Sequence, residues 1–130
     1  MKQVLIVDDS EQIRERIVAL LTESAQIRIV GQAGNGTDAL LAIQRLKPDT
    51  VVLDIRLPGR SGIELLKEIR ARYPEMKVIM LTNFDYAQYR QQCRQLGADH
   101  FLNKTLEFEK IVDAVMDDAG PGEGNRKVHQ

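Results

Sequence analysis

Five residues able to do chemistry each follow a short apolar run. Asp8 and Asp9 follow VLIV, Asp54 follows VVL, Thr82 follows VIML, and Lys104 follows HFLN. An apolar run of this length bounded by polar residues reads as a buried strand. In an open parallel sheet, ligands bind outside the carboxyl ends of the strands. Five such groups at four strand ends therefore converge on one edge. Three carboxylates, an ammonium and a hydroxyl in one cleft suit a divalent cation and a phosphoryl group. Mg²⁺ takes oxygen ligands and keeps several waters, so a pair or trio of carboxylates suffices without sulfur or imidazole. Clustered carboxylates also repel, which raises the pKa of at least one of them unless a cation sits nearby. Metal or Lys104 in the cleft answers that repulsion.

The elements that must position these groups alternate. A first strand is expected over 3–7 and a helix over 11–22, with Ser10 as N-cap and Ile13, Ile17, Leu20 and Leu21 at helical spacing. A second strand follows over 28–33. Gly34-Asn35-Gly36 makes a turn, and Thr37 is expected to cap a helix carrying Leu40, Ile43 and Leu46 that Pro48 ends. The third strand is expected over 50–54 and the third helix over 62–72, joined by a loop with Pro58 and Gly59. The fourth strand (77–81) leads to a Gln- and Arg-rich helix (86–96) stopped by Gly97. The fifth strand spans 100–103, and a last helix over 107–119 buries Phe108, Ile111, Val112 and Val115. Strands separated by helical patterns of 10–15 residues argue for right-handed βαβ units and an α/β fold, a single doubly wound domain with helices on both faces. Runs that are continuously apolar suit strands buried on both sides. The domain is expected over 1–119. Residues 120–130 (GPGEGNRKVHQ) have almost no apolar content and read as a disordered tail or a linker stub.

Composition narrows the classes. A chain of 130 residues is one domain by length. Apolar residues at 43% and charged residues at 28% are ordinary for a globular protein. A net charge of −1 gives no electrostatic case for nucleic acid or an anionic membrane. No apolar stretch approaches the ~20 residues that span a bilayer. The N-terminus lacks the basic start and apolar centre of a signal peptide. Cys93, the single cysteine, has no partner for an internal disulfide. A cytoplasmic protein is the reading.

The chain resembles a response-regulator receiver domain of the chemotaxis (CheY-like) type over residues 2–118. The resemblance rests on the acidic pair after the first strand, LDIRLPGRSG (53–62), MLTN (80–83) and LGADHFLNK (96–104), in that order. It implies a flavodoxin-like (βα)5 sheet of order 2-1-3-4-5. It implies that Asp54 is the phosphoacceptor, attacking the phosphohistidine of a sensor histidine kinase or a histidine phosphotransfer domain. Asp9, Asp54 and the backbone carbonyl of Arg56 would bind Mg²⁺ (Mn²⁺ is an alternative), with Asp8 supporting the shell. Lys104 would pair with one phosphoryl oxygen and Thr82 would donate its hydroxyl to another. Phe101 would be the aromatic switch that follows Thr82. The output surface would be the fourth helix, fifth strand and fifth helix, with a downstream effector or a homodimer through the same elements as partners. Arg56 and Phe84, two residues beyond Asp54 and Thr82, would tune attack of water on the acyl phosphate. The domain itself would bind neither nucleic acid nor membrane.

Two positions depart from the family's pattern. Thr105 follows Lys104 where the family often has proline, often with a cis peptide bond. Without proline, cis costs about 2.5–4 kcal/mol, so a trans bond is expected. Phe101 replaces tyrosine and has no hydroxyl to hydrogen-bond.

Plainer roles compete for single residues. Asp8 could cap the first helix and leave Asp9 alone on a metal. Thr82 could satisfy local backbone. Phe101 could be plain core. Cys93 reads as a half-buried helix residue, His100 and His129 as solvated, and RQQCRQ (90–95) as a wet helix face or docking surface. As function, a phosphoacceptor signalling domain rather than an enzyme is expected, with self-phosphorylation and autodephosphorylation its only chemistry. It is expected to stand alone; the alternative is the receiver half of a longer DNA-binding transcription regulator. An aspartyl-phosphate phosphatase of the haloacid-dehalogenase pattern would want a second Asp two residues after the nucleophile, where this chain has Arg56. A degenerate receiver working without phosphate is countered by the intact set of Asp8, Asp9, Asp54, Thr82 and Lys104.

Overall fold

The computed structural model describes residues 1–117. Five strands, β1 (Lys2–Val7), β2 (Ile27–Ala33), β3 (Thr50–Leu53), β4 (Lys77–Thr82) and β5 (His100–Asn103), form one sheet. All four strand pairings are parallel and the order is β2-β1-β3-β4-β5. The helices are α1 (Glu11–Leu21), α2 (Gly36–Leu46), α3 (Gly62–Arg72), α4 (Ala87–Gln95) and α5 (Ile111–Met116), the last preceded by a 3-10 turn at Phe108–Lys110. This is the flavodoxin-like α/β receiver fold.

Alternate residues of the central strands feed two separate cores. Leu5, Val7, Val51, Leu53, Val78 and Met80 pack with Ala39, Ile43, Leu65, Leu66, Ile69 and Cys93 from α2, α3 and α4. Val4, Ile6, Val52, Ile79 and Leu81 pack with Ile17, Leu21, Ile111, Ala114 and Val115 from α1 and α5. Strands buried on both faces need apolar residues at every position, which explains runs such as VLIV and VIML. Each fully buried aliphatic side chain contributes roughly 1.5–3 kcal/mol, so a slip of register by one residue is strongly disfavoured.

Three helices begin on side-chain caps. Ser10 accepts a hydrogen bond from the Ile13 N–H at 3.2 Å, and Ser61 from the Glu64 N–H at 3.1 Å. The cap of α2 is Asn35, whose side chain accepts from the Asp38 N–H at 2.8 Å, rather than the expected Thr37. Asn35 has the extended backbone that a cap needs, and its amide oxygen reaches the third helical N–H, so the helix starts earlier and Thr37 lies within the first turn. Gly97 ends α4 with φ +94°, the left-handed conformation expected of it.

The last helix differs from its expected 107–119 span. Glu107 turns back to accept the Asn103 N–H at 2.9 Å, and residues 108–110 wind as a tighter 3-10 turn. At the other end, Lys77 Nζ reaches across from β4 to the carbonyls of Ala114 (2.9 Å), Val115 (3.2 Å) and Asp117, and α5 ends at Met116. Residues 118 and 119 of that helix, the tail 120–130 and His129 lie outside the described residues. Among the described residues no peptide bond is cis, as Thr105 in place of proline leads one to expect. No helix among the described residues is long and apolar enough to cross a membrane.

Candidate functional site

The site is assembled by strand register. Val7 pairs with Leu53, so the residues that follow, Asp8 and Asp54, leave the sheet side by side. The Asp54 N–H donates to the Val7 carbonyl at 3.2 Å, and the Asp8 N–H to the Ala33 carbonyl at 3.0 Å. Thr82 pairs with Asn103, and the Lys104 N–H donates to the Thr82 carbonyl at 2.9 Å. Four strand ends thus bring all five groups to the carboxyl edge.

Lys104 Nζ lies 2.6 Å from both Asp8 Oδ2 and Asp54 Oδ2. Both carboxylates are buried, and the Lys104 side chain is only 11% exposed. Their second oxygens are also engaged: Asp8 Oδ1 accepts the Ser10 N–H at 2.9 Å and Asp54 Oδ1 the Ile55 N–H at 2.7 Å. The competing reading of Asp8 as the cap of α1 is thereby settled: Ser10 caps the helix, and Asp8 orients the cap residue. Asp9 is exposed, and carboxylate oxygens of Asp8, Asp9 and Asp54 lie within 4.8 Å of one another. Three oxygen donors at this spacing, one of them open to solvent, fit a hard divalent cation that retains waters.

The electrostatics follow from burial. Burial pushes the Asp8 carboxyl up from its ordinary value; hydrogen bonds from Lys104 and Ser10 oppose this, and Asp54 adds to it. Burial alone would lower Lys104, but its bonds to Asp54 and Asp8 outweigh burial and hold the ammonium above its usual value. Lys104 therefore remains a cation throughout the physiological range. One ammonium is shared by the two buried carboxylates, with the exposed Asp9 beside them.

Thr82 is buried, and its hydroxyl accepts the Phe84 N–H at 3.1 Å. Phe101 sits half-buried on the α4 side of the sheet, packed against the core there. The Arg90 guanidinium covers its ring at 4.7 Å from the centroid. The two positions expected to tune hydrolysis touch each other: the Arg56 guanidinium lies 4.7 Å from the Phe84 ring centroid. The stack joins the loop after β3 to the loop after β4.

Several partners were not legible in the sequence. Gly62 opens α3 so close to the phosphoacceptor candidate that a Cβ there would stand 1.9 Å from the Asp54 carbonyl oxygen. Its N–H donates to the Ile55 carbonyl at 2.7 Å, pinning the loop that leaves Asp54. Arg90 is not on a wet face: besides covering Phe101 it grips Asp85 through Nε and, at 3.0 Å, through Nη2, and it lies 3.4 Å from Glu107. Those bonds draw the Asp85 carboxyl below its ordinary value, and Glu107 is lowered chiefly by the Asn103 N–H. Cys93 is fully buried rather than half-buried, and burial pushes its thiol up to about 11. His100 is not merely solvated; its Nε2 lies 3.2 Å from Asp117 Oδ2. In each case the sequence displays a polar residue on a helix or strand but not the neighbour that a distant segment supplies.

Against known proteins, the sequence matches the family model of the response regulator receiver domain over residues 4–116. It is 32% identical to the DNA-binding transcriptional activator DevR/DosR of Mycobacterium tuberculosis, over 90% of this chain and 54% of that protein. The chain spans about half the length of the curated relatives it matches, 54% in the case of response regulator GacA of Pseudomonas aeruginosa. The signal receiver domain of the putative response regulator NarL of M. tuberculosis superposes with a TM-score of 0.83 at 33% identity, covering 89% of this chain and 94% of that one. The CheX-CheY-BeF3-Mg+2 complex from Borrelia burgdorferi contains a chain that superposes with a TM-score of 0.82 at 30% identity, over 88% of this chain and 87% of its own. With its fold, its carboxyl-edge residues and its family match in agreement, the chain belongs to the response regulator receiver domains of two-component signalling.

Proposed function

We propose that the domain accepts a phosphoryl group on Asp54 from a phosphohistidine of a sensor kinase or histidine phosphotransfer domain. The observation that carries this reading is the lysine shared by two buried carboxylates, 2.6 Å from each, beside an exposed third. A carboxylate oxygen of Asp54 attacks phosphorus, the P–N bond breaks, and the departing imidazole nitrogen keeps the electron pair and takes up a proton. Asp8, Asp9 and Asp54, with the backbone carbonyl of Arg56, would hold Mg²⁺ or Mn²⁺. The ion supplies charge neutralisation to the equatorial phosphoryl oxygens. Lys104 is placed to transfer its ammonium from the Asp54 carboxylate to a phosphoryl oxygen. Thr82, now serving the Phe84 N–H, is the hydroxyl that would turn to another.

Rearrangement of Thr82 and Phe101 would then alter the surface of α4, β5 and α5, where an effector or a second copy docks. Reversing a 1:99 equilibrium takes about 5.5 kcal/mol of differential interaction. Charge-assisted hydrogen bonds of roughly 1.5–3 kcal/mol each bring that within reach of two or three new contacts. A second reading of the output is favoured by the relatives: among them is a DNA-binding activator of which this chain matches half. On that reading, the domain governs an attached DNA-binding segment.

The test is intact mass after incubation with Mg²⁺ and acetyl phosphate. One added phosphoryl group that requires Mg²⁺ and disappears in Asp54→Ala is the expected result. Equal incorporation in Asp54→Ala would sink the assignment.

A further inference from the structure

The metal-site candidate has an asymmetry that none of its own members resolves. Asp8 and Asp54 are buried and hydrogen-bonded, whereas Asp9 is exposed and its side chain takes no hydrogen bond among the described residues. The direction in which Asp9 presents its carboxylate is therefore set by the backbone from which it springs. That backbone is held by α1. Arg14 Nη1 donates to the Asp8 carbonyl at 2.6 Å, the acceptor half of the Asp8–Asp9 peptide. Arg14 is in turn braced by its Nε, which donates to Gln32 Oε1 on β2 at 3.1 Å. Gly34 leaves the space for this: a Cβ there would stand 3.3 Å from Arg14 Nη1 and 3.9 Å from the Asp8 carbonyl oxygen. The Asp8 N–H is fixed from the other side by the Ala33 carbonyl at 3.0 Å. The two peptides flanking the Asp8 Cα are thus each held, the Val7–Asp8 unit by the Ala33 carbonyl and the Asp8–Asp9 unit by the Arg14 guanidinium, the one side chain of the two.

We propose that Arg14 is a positioning residue for the divalent cation, orienting the Asp8–Asp9 peptide so that Asp9 joins Asp8 and Asp54 as a ligand. The proposal rests on the reading of these three carboxylates as the metal site. Its sign is informative, because two physical effects oppose each other. A guanidinium close to the site repels a cation through space, so electrostatics alone predicts tighter binding when Arg14 is removed. Orientation predicts weaker binding, since losing the groups that orient metal ligands commonly costs 10–100-fold in affinity. Arginine suits this task because its planar fork serves Gln32 and the Asp8 carbonyl at once, which a lysine ammonium on a flexible stem does less well.

Mg²⁺ titration by calorimetry, with backbone amide shifts of Asp9 as a second readout, tests this on the parent, Arg14→Ala, Arg14→Lys and Gln32→Ala. Arg14→Ala is expected to weaken Mg²⁺ about tenfold, with Arg14→Lys intermediate and Gln32→Ala, an exposed position that removes only the brace, weakened about two- to threefold. The Asp9 amide is expected to move in the metal-free variants. Tighter or unchanged Mg²⁺ binding in folded Arg14→Ala overturns the proposal. If Arg14→Ala does not fold, unchanged affinity in Gln32→Ala overturns it instead. A parent that binds no Mg²⁺ at millimolar concentration overturns the metal-site reading itself, and this proposal with it, an outcome visible before any variant is compared.

Discussion

The two edges of the sheet both bury charge, and they use it in opposite ways. At the amino edge, Lys77 is satisfied by the carbonyls that end α5. Asp99 accepts the Val78 N–H at 2.9 Å and pairs with Arg70 at 3.1 Å, while Arg70 also serves the carbonyls of Pro74, Met76 and Gly97. Asp49 accepts the Gln3 N–H at 2.9 Å and the Thr50 hydroxyl at 2.8 Å. Charges there meet backbone dipoles or a counter-charge, and the result is a set of fixed joints between strands and helices. At the carboxyl edge, two buried carboxylates share one ammonium and a third, exposed carboxylate lies beside them. On the proposed reading, a cation joins Lys104 in neutralising these carboxylates. A buried charge matched by its surroundings is architecture, and one left mismatched is a site with affinity.

Five substitutions bear on this contrast. Gly62→Ala should have the largest effect, because the two edges share no tolerance for a backbone shift at Asp54. A Cβ at 1.9 Å from the Asp54 carbonyl oxygen forces the start of α3 away from β3, at a cost of about 3 kcal/mol or more by urea denaturation. Lys77→Met should follow, destabilising by about 1–3 kcal/mol through the carbonyls it strands, yet leaving Mg²⁺ affinity at the opposite edge unchanged. An equal loss of Mg²⁺ affinity would erase the division between the edges.

Asp8→Asn should act differently, removing Mg²⁺ binding and, with it, a pH dependence of the metal-free protein's stability. The sign follows from its pKa. The folded state raises the Asp8 carboxyl above its ordinary 3.8, so folding favours the protonated form. Stability contributed by that form is present at low pH and is lost as pH rises from the unfolded value through the folded one. Thermal midpoints measured from pH 4 to 7 should show this loss in the parent but not in Asp8→Asn, and millimolar Mg²⁺ should cancel it. The smallest effect belongs to the stack between the loops after β3 and β4. Arg56→Asn and Phe84→Glu should each change the phosphoryl lifetime about two- to fivefold, because the Arg56–Phe84 contact links the two loops that flank Asp54 and Thr82. Decay of the phosphorylated mass peak measures it, and lifetimes unchanged from the parent in both variants would remove the stack from the account.

The chemistry of the carboxyl edge was legible because it depends on short-range order. Each of Asp8, Asp9, Asp54, Thr82 and Lys104 is announced by the apolar run before it, and a parallel sheet sends every such residue to the same side. The amino edge was opaque for the converse reason. Nothing around Lys77 or Arg70 distinguishes them from surface cations, and their partners lie 37 residues away at Ala114 and 27 at Gly97. Arg14 and Arg90 were hidden likewise, since a helix pattern records which face is apolar and not which distant carbonyl or ring a long side chain will meet. Asn35 and Thr37 are both residue types that cap, and which of them does so rests on backbone dihedrals that only the folded turn fixes.

By itself, then, the sequence determined the alternation of strands and helices, the α/β class and the five reactive residues at the strand ends, because periodicity and strand-end position are local properties of the chain. The tertiary structure alone decided which carboxylates share Lys104, that Asp9 is the carboxylate left open to solvent, that Arg56 stacks on Phe84, and that α5 ends where Lys77 grips it. Those outcomes depend on angles and distances of a few ångströms between segments far apart in sequence. Such distances are set by packing across two cores, which no window of neighbouring residues contains.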